Sequence, residues 1–225
     1  MILSFAAATA ASDQPSRASA PSPAPTPGQW RDLFNRRDLT GWTTSVGDLG
    51  AWAAVDGELI TVKPGMGDWL FTKKTYRDFE LSLEFFLPVG ANSGVGLRVM
   101  EIGDPGYGGY EIQLNDTSGQ TPTRRSAGAV FDIAPARVDA IRPNQWNTLR
   151  IRLVGQTLDV WLNKVQIHRA TQLPPLPDRD PFVSGEEKTG RISLQDNAGR
   201  VRYRHIRLRT IEPTGEPIFS RDRPR

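Results

Sequence analysis

The 225-residue chain contains no cysteine and only two histidines, His168 and His205. The first absence excludes a disulfide framework, a thiol nucleophile and cysteine-ligated zinc. The second leaves too little imidazole for a histidine-rich metal centre. No run approaches the ~20 consecutive apolar residues of a membrane-spanning helix, so no helical span is expected. No window of helical length repeats its apolar residues at the roughly 3.6-residue period, which argues for little helix. An excess of one charge is missing too, since 28 Lys and Arg stand against 25 Asp and Glu. The densest basic run, Arg200, Arg202, Arg204, Arg207 and Arg209, alternates with other residues like the outward face of a strand. No nucleic-acid partner is expected.

Two segments fall outside the pattern of a folded domain. Residues 1–12 are small and apolar, with A-x-A-like sites at Ala8-Thr9-Ala10 and later at Ala18-Ser19-Ala20, and resemble the back half of a secretory signal peptide. Export, to the periplasm or the medium, is the expectation. Residues 13–29 are rich in Pro, Ser and Ala, a composition that buries no core and suits an extended linker. A jelly-roll domain is expected over 30–212, and 213–225 reads as a tail after the Pro and Gly residues near 213–217.

From Trp30 onward the dominant period is two. Phe79-Glu80-Leu81-Ser82-Leu83-Glu84-Phe85 alternates strictly, the mark of a half-buried strand. So do 149–153, 158–162 and 191–195, with hairpin turns at Gly155-Gln156 and Asn163-Lys164. Many short strands between Gly- and Pro-rich turns predict an all-β fold, a two-sheet antiparallel sandwich or a barrel. About 180 ordered residues favour a jelly roll.

Alternation also sorts residues by face. If Val95, Leu97 and Val99 enter the core, Gly94, Gly96 and Arg98 point the other way. If Tyr110, Ile112 and Leu114 enter, Glu111, Gln113 and Asn115 oppose them. Two glycines beside Arg98 leave room for a ligand to approach the backbone. Trp42, Trp69 and Tyr107 offer flat apolar surfaces that suit sugar rings, whereas Trp30, Trp52, Trp146 and Trp161 read as core. A two-carboxylate glycosidase fits poorly. Glu80 and Glu84 share a face but lie ~13 Å apart along a strand, whereas such enzymes need carboxyls within about 5–9.5 Å.

A resemblance spans about 30–211. It is carried in order by Asp32-Leu33-Phe34-Asn35 with Leu39-Thr40-Gly41-Trp42, by Val55-Asp56-Gly57-Glu58-Leu59, and by Trp69-Leu70 and Thr72-Lys73-Lys74. Asp78-Phe79-Glu80-Leu81, Asn92-Ser93-Gly94-Val95 with Arg98, and Gly109-Tyr110-Glu111-Ile112-Gln113-Leu114 follow. Trp146-Asn147 and Gly190-Arg191-Ile192-Ser193-Leu194-Gln195-Asp196 complete it. With these residues the chain resembles the 3-keto-disaccharide hydrolase family of the concanavalin A-like, lectin and glucanase jelly-roll class. The resemblance implies cleavage of sugars already oxidised at C3. The ketone acidifies the C2 proton, a base removes it, the C1 substituent leaves and water adds back. It also implies a partner oxidoreductase that makes the ketone. This chain departs from its relatives at Asn197, where they often carry His, and at His205, where they usually carry Asn.

On this resemblance Glu111 is the expected general base and Arg98 its electrostatic support. Asn92, Ser93, Gln113, Trp69, Lys73, Glu84, Tyr107 and Gln195 are expected to bind substrate. A divalent metal is left open, with Asp116 and Asp196 as candidate ligands beside Glu111. Each has a plain alternative: solvated strand faces for Glu111 and Lys73, a surface ion pair for Arg98, side-chain-capped turns for Asn92, Ser93 and the aspartates. His168 and His205 read as structural. The rival function is a non-catalytic carbohydrate-binding module, which the linker and Asn197 would suit.

Overall fold

The computed structural model describes residues 28–44, 49–65, 69–100, 108–176 and 189–212. The signal-like segment, the linker as far as residue 27, the tail from 213 and Tyr107 lie outside the described residues. Thirteen strands are described: β1 (Arg31–Asp32), β2 (Trp42–Thr44), β3 (Trp52–Val55), β4 (Glu58–Thr61), β5 (Trp69–Thr72), β6 (Phe79–Phe86), β7 (Asn92–Val99), β8 (Tyr110–Asn115), β9 (Trp146–Val154), β10 (Thr157–Leu162), β11 (Val165–Gln172), β12 (Arg191–Gln195) and β13 (Arg202–Thr210). They form two antiparallel sheets, the expected jelly-roll sandwich. Sheet I runs β11-β10-β9-β6-β13-β4-β3 with β1 also on β13; sheet II runs β2-β5-β12-β7-β8.

Period-two alternation builds the core. Phe79, Leu81, Leu83 and Phe85 of sheet I, with Leu149, Ile151 and Leu153, meet Val95, Leu97, Tyr110, Ile112 and Leu114 of sheet II, all within 3% of complete burial. The hairpins turn where expected, with positive φ at Gly155, Asn163 and Lys164.

β-bulges shift the phase of the alternation in β13, β7 and β11. In β13, His205 takes φ 52° and the register against β6 slips between Arg204 and Arg207. One extra residue therefore lets Tyr203, Ile206 and Leu208 all face inward while the arginines stay outside. There they stack on aromatics: Arg202 on Phe86 and Trp146, Arg204 on Trp146, Arg207 and Arg209 on Trp30, and Arg150 on Trp161. Of the four tryptophans expected in the core, only Trp52 is there. Trp30, Trp146 and Trp161 are half-buried under arginines on the outer face of sheet I.

Candidate functional site

The face of sheet II turned away from the core carries the site, and register decides its members. Gly96 pairs with Glu111 and Gly94 with Gln113. On the other side of β7, Ser193 pairs with Gly96, and across β12 it pairs with Phe71, as Gln195 does with Trp69. Two cross-strand rows result: Phe71–Ser193–Gly96–Glu111, and Trp69–Gln195–Gly94–Gln113. The two glycines form a floor flanked by polar side chains.

Glu111 lies over that floor. A Cβ on Gly94 would sit 2.8 Å from the Glu111 carboxyl carbon and 2.9 Å from its Cγ, so only glycine admits this rotamer. Glu111 is 4% exposed and Gln113 4%, far from the solvated pair an outer face would ordinarily carry. Their backbones are held on the far side by 128–131: Gly128 N donates to Gln113 O (2.7 Å), Gln113 N to Ala129 O (2.9 Å) and Phe131 N to Glu111 O (2.9 Å). Buried His168 contacts the Gly128 carbonyl at 2.8 Å through Nε2, a structural role as expected. Around the carboxylate, Gln113 Nε2 donates to Asn92 Oδ1 (3.0 Å). Gln113 Oε1, Ser193 Oγ and Gln195 Oε1 are buried with no hydrogen-bond partner. Buried polar atoms are nearly always paired, so three orphans on one face mark a place where a ligand or water completes them. Trp69 and Phe71, with Val99, form a small apolar cluster apart from the main core.

Arg98 is not part of this constellation. The bulge at its φ of 50°, where the β7–β12 register slips between Arg191 and Ser193, turns its side chain from the expected face. Arg98 Nε donates to Arg77 O (2.7 Å), Nη1 to Gly155 O (2.6 Å) and Nη2 to Asp78 Oδ1 (2.9 Å). Asp78 Oδ1 also accepts from Gly155 N (2.8 Å). Arginine and aspartate, each 5% exposed, thus tie β7 of sheet II to the β9–β10 turn of sheet I. The same bulge moves Val99 off the core face and against Trp69 and Phe71.

Other expected residues also lie elsewhere. Ser93 faces the core from within β7 and not from a loop rim. Its hydroxyl donates to Gln195 O (2.6 Å) and accepts from Tyr203 Oη (2.5 Å), which must donate because a carbonyl cannot. Burial pushes the Tyr203 phenol up, and negative charge on Glu111 and Asp196 adds to this, so the hydroxyl keeps its proton. Glu84 is on the outer face of sheet I, bound to Arg204 (2.7 Å) and His205 (3.2 Å). Glu80 is bound there to Arg150 and Arg209, which further removes a Glu80–Glu84 glycosidase pair. Lys73 is exposed beyond β5 and lines a separate cavity of about 550 Å³ with Arg31 and Tyr76. Trp42 is a core residue, 1% exposed, whose indole donates to Leu33 O (2.9 Å). Asp116 caps a turn through Gly90 N (2.8 Å), and buried Asp196 accepts from Gly65 N (3.1 Å). Among the described residues no group of three or more His, Cys, Asp or Glu is placed to hold a metal ion.

The structure therefore gathers Glu111, Gln113, Asn92, Gln195 and Trp69 and leaves Arg98, Ser93, Glu84 and Lys73 apart. Sequence reasoning missed Ser193 and Phe71. The alternation in 191–195 marked Ser193 as opposite Ile192 and Leu194, and only the pairing of β12 with β7 brings it beside Gly96.

Comparison with known proteins agrees with this architecture. The profile of the 3-keto-alpha-glucoside-1,2-lyase-like domain matches residues 29–209. A curated 3-keto-disaccharide hydrolase of Bacteroides thetaiotaomicron is 24% identical, over 81% of this chain and 74% of its own. A crystal structure from Parabacteroides distasonis, provisionally named a glycosyl hydrolase, superposes with TM-score 0.68 at 21% identity, covering 81% of this chain and 94% of that one. The carbohydrate-binding module CBM66 of Bacillus subtilis superposes with TM-score 0.54 at 14% identity, over 76% of this chain and 96% of that module. These two superpositions establish the jelly-roll fold.

Proposed function

The chain belongs to the 3-keto-alpha-glucoside-1,2-lyase-like family, and from that premise we propose that it cleaves 3-keto-disaccharides by elimination and rehydration. The observation that carries the reading is one buried carboxylate, Glu111, lying over a two-glycine floor among orphaned polar atoms. Among the described residues, the two cross-strand rows over the glycine floor hold one carboxylate, Glu111, which suits a base more than a paired acid and nucleophile. Glu111 takes the C2 proton, and the C–H electrons form an enolate on the C3 oxygen. As the C3 carbonyl re-forms, those electrons make the C1=C2 bond and the C1–O bond breaks. The departing alkoxide takes the proton that Glu111 removed from C2 and leaves as the second sugar, which returns Glu111 to its carboxylate form. Water then adds its oxygen at C1 and a proton at C2, so the sum is hydrolysis. A low-dielectric site strengthens each electrostatic contact in this sequence.

Purified protein with 3-keto-trehalose or 3-keto-lactose in deuterated buffer, followed by NMR, tests this. The expected result is release of the second sugar with deuterium at C2. Glu111→Gln is expected to lower kcat by about 10²–10⁴-fold, the usual contribution of a general base. Ligand signals that shift without being consumed would sink the lyase reading in favour of a binding module. A parallel incubation with EDTA tests a divalent metal. Export and a ketone-forming oxidoreductase partner belong to the same proposal; cell fractionation checks the first.

A further inference from the structure

The elimination builds negative charge on the C3 oxygen, and, resting on that reading, we infer that Ser193 donates the hydrogen bond that stabilises it. The cation expected for this task, Arg98, has all three of its nitrogens bound between the sheets, away from the floor. Of the three orphaned atoms on the face that Glu111 occupies, Gln113 Oε1 and Gln195 Oε1 are carbonyl oxygens and only accept. Ser193 Oγ alone carries a hydrogen it can give. Its position suits the role. Ser193 and Glu111 belong to one cross-strand row and flank Gly96 from opposite sides, two strand spacings or about 9.6 Å apart at Cα. A pyranose ring laid over the glycine between them turns C2 toward the base and the neighbouring C3 oxygen toward the serine. Ser193 is fully buried, so its hydroxyl reaches the oxyanion without competition from bulk water.

A hydroxyl that is buried and unpartnered in the free protein contributes nothing to its stability, whereas a structural serine does. The two roles therefore separate in one variant. Ser193→Ala is expected to keep or raise the melting temperature, to leave KM for 3-keto-trehalose within about threefold, and to lower kcat by roughly 10²–10³-fold, as loss of one oxyanion donor does elsewhere. An active wild type with an equally active Ser193→Ala overturns this inference and leaves the elimination standing. A Ser193→Ala protein that loses activity and also melts several degrees lower overturns it as well, by marking the hydroxyl as structural. A wild type that consumes neither keto-disaccharide overturns the inference together with the reading beneath it.

Discussion

Gly94 decides where the Glu111 carboxylate lies. Its missing side chain is the space the carboxylate fills, and any larger residue contests that space. Gly94→Ala is expected to leave the strand intact, because Gly94 is not among the residues with positive φ and alanine needs no backbone change there. The added methyl must instead push the carboxylate off the floor. A displacement near 1 Å commonly lowers turnover by about 10²-fold. Circular dichroism unchanged from wild type, with kcat/KM down by that order, is the expected pair of results; full activity would mean that the Glu111 rotamer is unimportant. Glu111 itself was legible in the sequence, because its neighbours Tyr110, Ile112 and Leu114 are apolar at every second position. Its burial was not, because nothing within β8 shows what packs beside it.

At the level of strands, the alternating segments were legible and their phase errors were not. The hairpins of 149–167 turn at Gly155 and Asn163, residues that accept positive φ. Two of the bulges fall on Arg98 and His205, neither a glycine nor an asparagine that would mark a positive φ, so alternation assigned Arg98 to the outer face and Val99 to the core. Tertiary bonding holds the first bulge, and Gly190 lets it form: a Cβ there would press on the Arg98 backbone. The Arg98–Asp78 pair is buried at both ends, with the aspartate also accepting from Gly155 N. Removing one partner leaves an uncompensated buried charge, which commonly costs about 3–5 kcal/mol. Asp78→Ala is expected to lower the urea midpoint accordingly. Arg98→Lys should also destabilise, since an ammonium cannot reproduce the three-way fork. A loss below about 0.5 kcal/mol, the range of ordinary surface substitutions, would show that the clamp is not needed.

Across the whole molecule the two sheets carry different chemistry, and pH separates them. The outer face of sheet I is a lattice of arginines, aromatics and carboxylates. Burial alone would raise the Glu80 carboxyl, but hydrogen bonds from Arg150 and Arg209 outweigh it and hold it below the usual range. Arg204 and His205 do the same for Glu84. A carboxyl lowered in the fold contributes stability that is complete above its unfolded value near 4.5 and is lost as pH falls through the folded one. His168, on β11 behind the segment that braces Glu111, is lowered by burial, with its bond to the Gly128 carbonyl opposing. Its sign is the same. Below about 6.5 the unfolded chain takes a proton that the folded protein refuses, so stability falls as the solution is acidified, by at most about 1.4 kcal/mol per pH unit for one proton. Acidification should therefore act in two windows, His168 first and the carboxylates of sheet I below pH 4.5. Urea denaturation of wild type at pH 7.5, 6.0 and 5.0 is expected to show a falling midpoint. His168→Gln, which has no proton to gain, should be less stable at pH 7.5 yet nearly flat across that range. An unchanged slope in this variant would assign the upper window to another group and leave His168 a packing residue only.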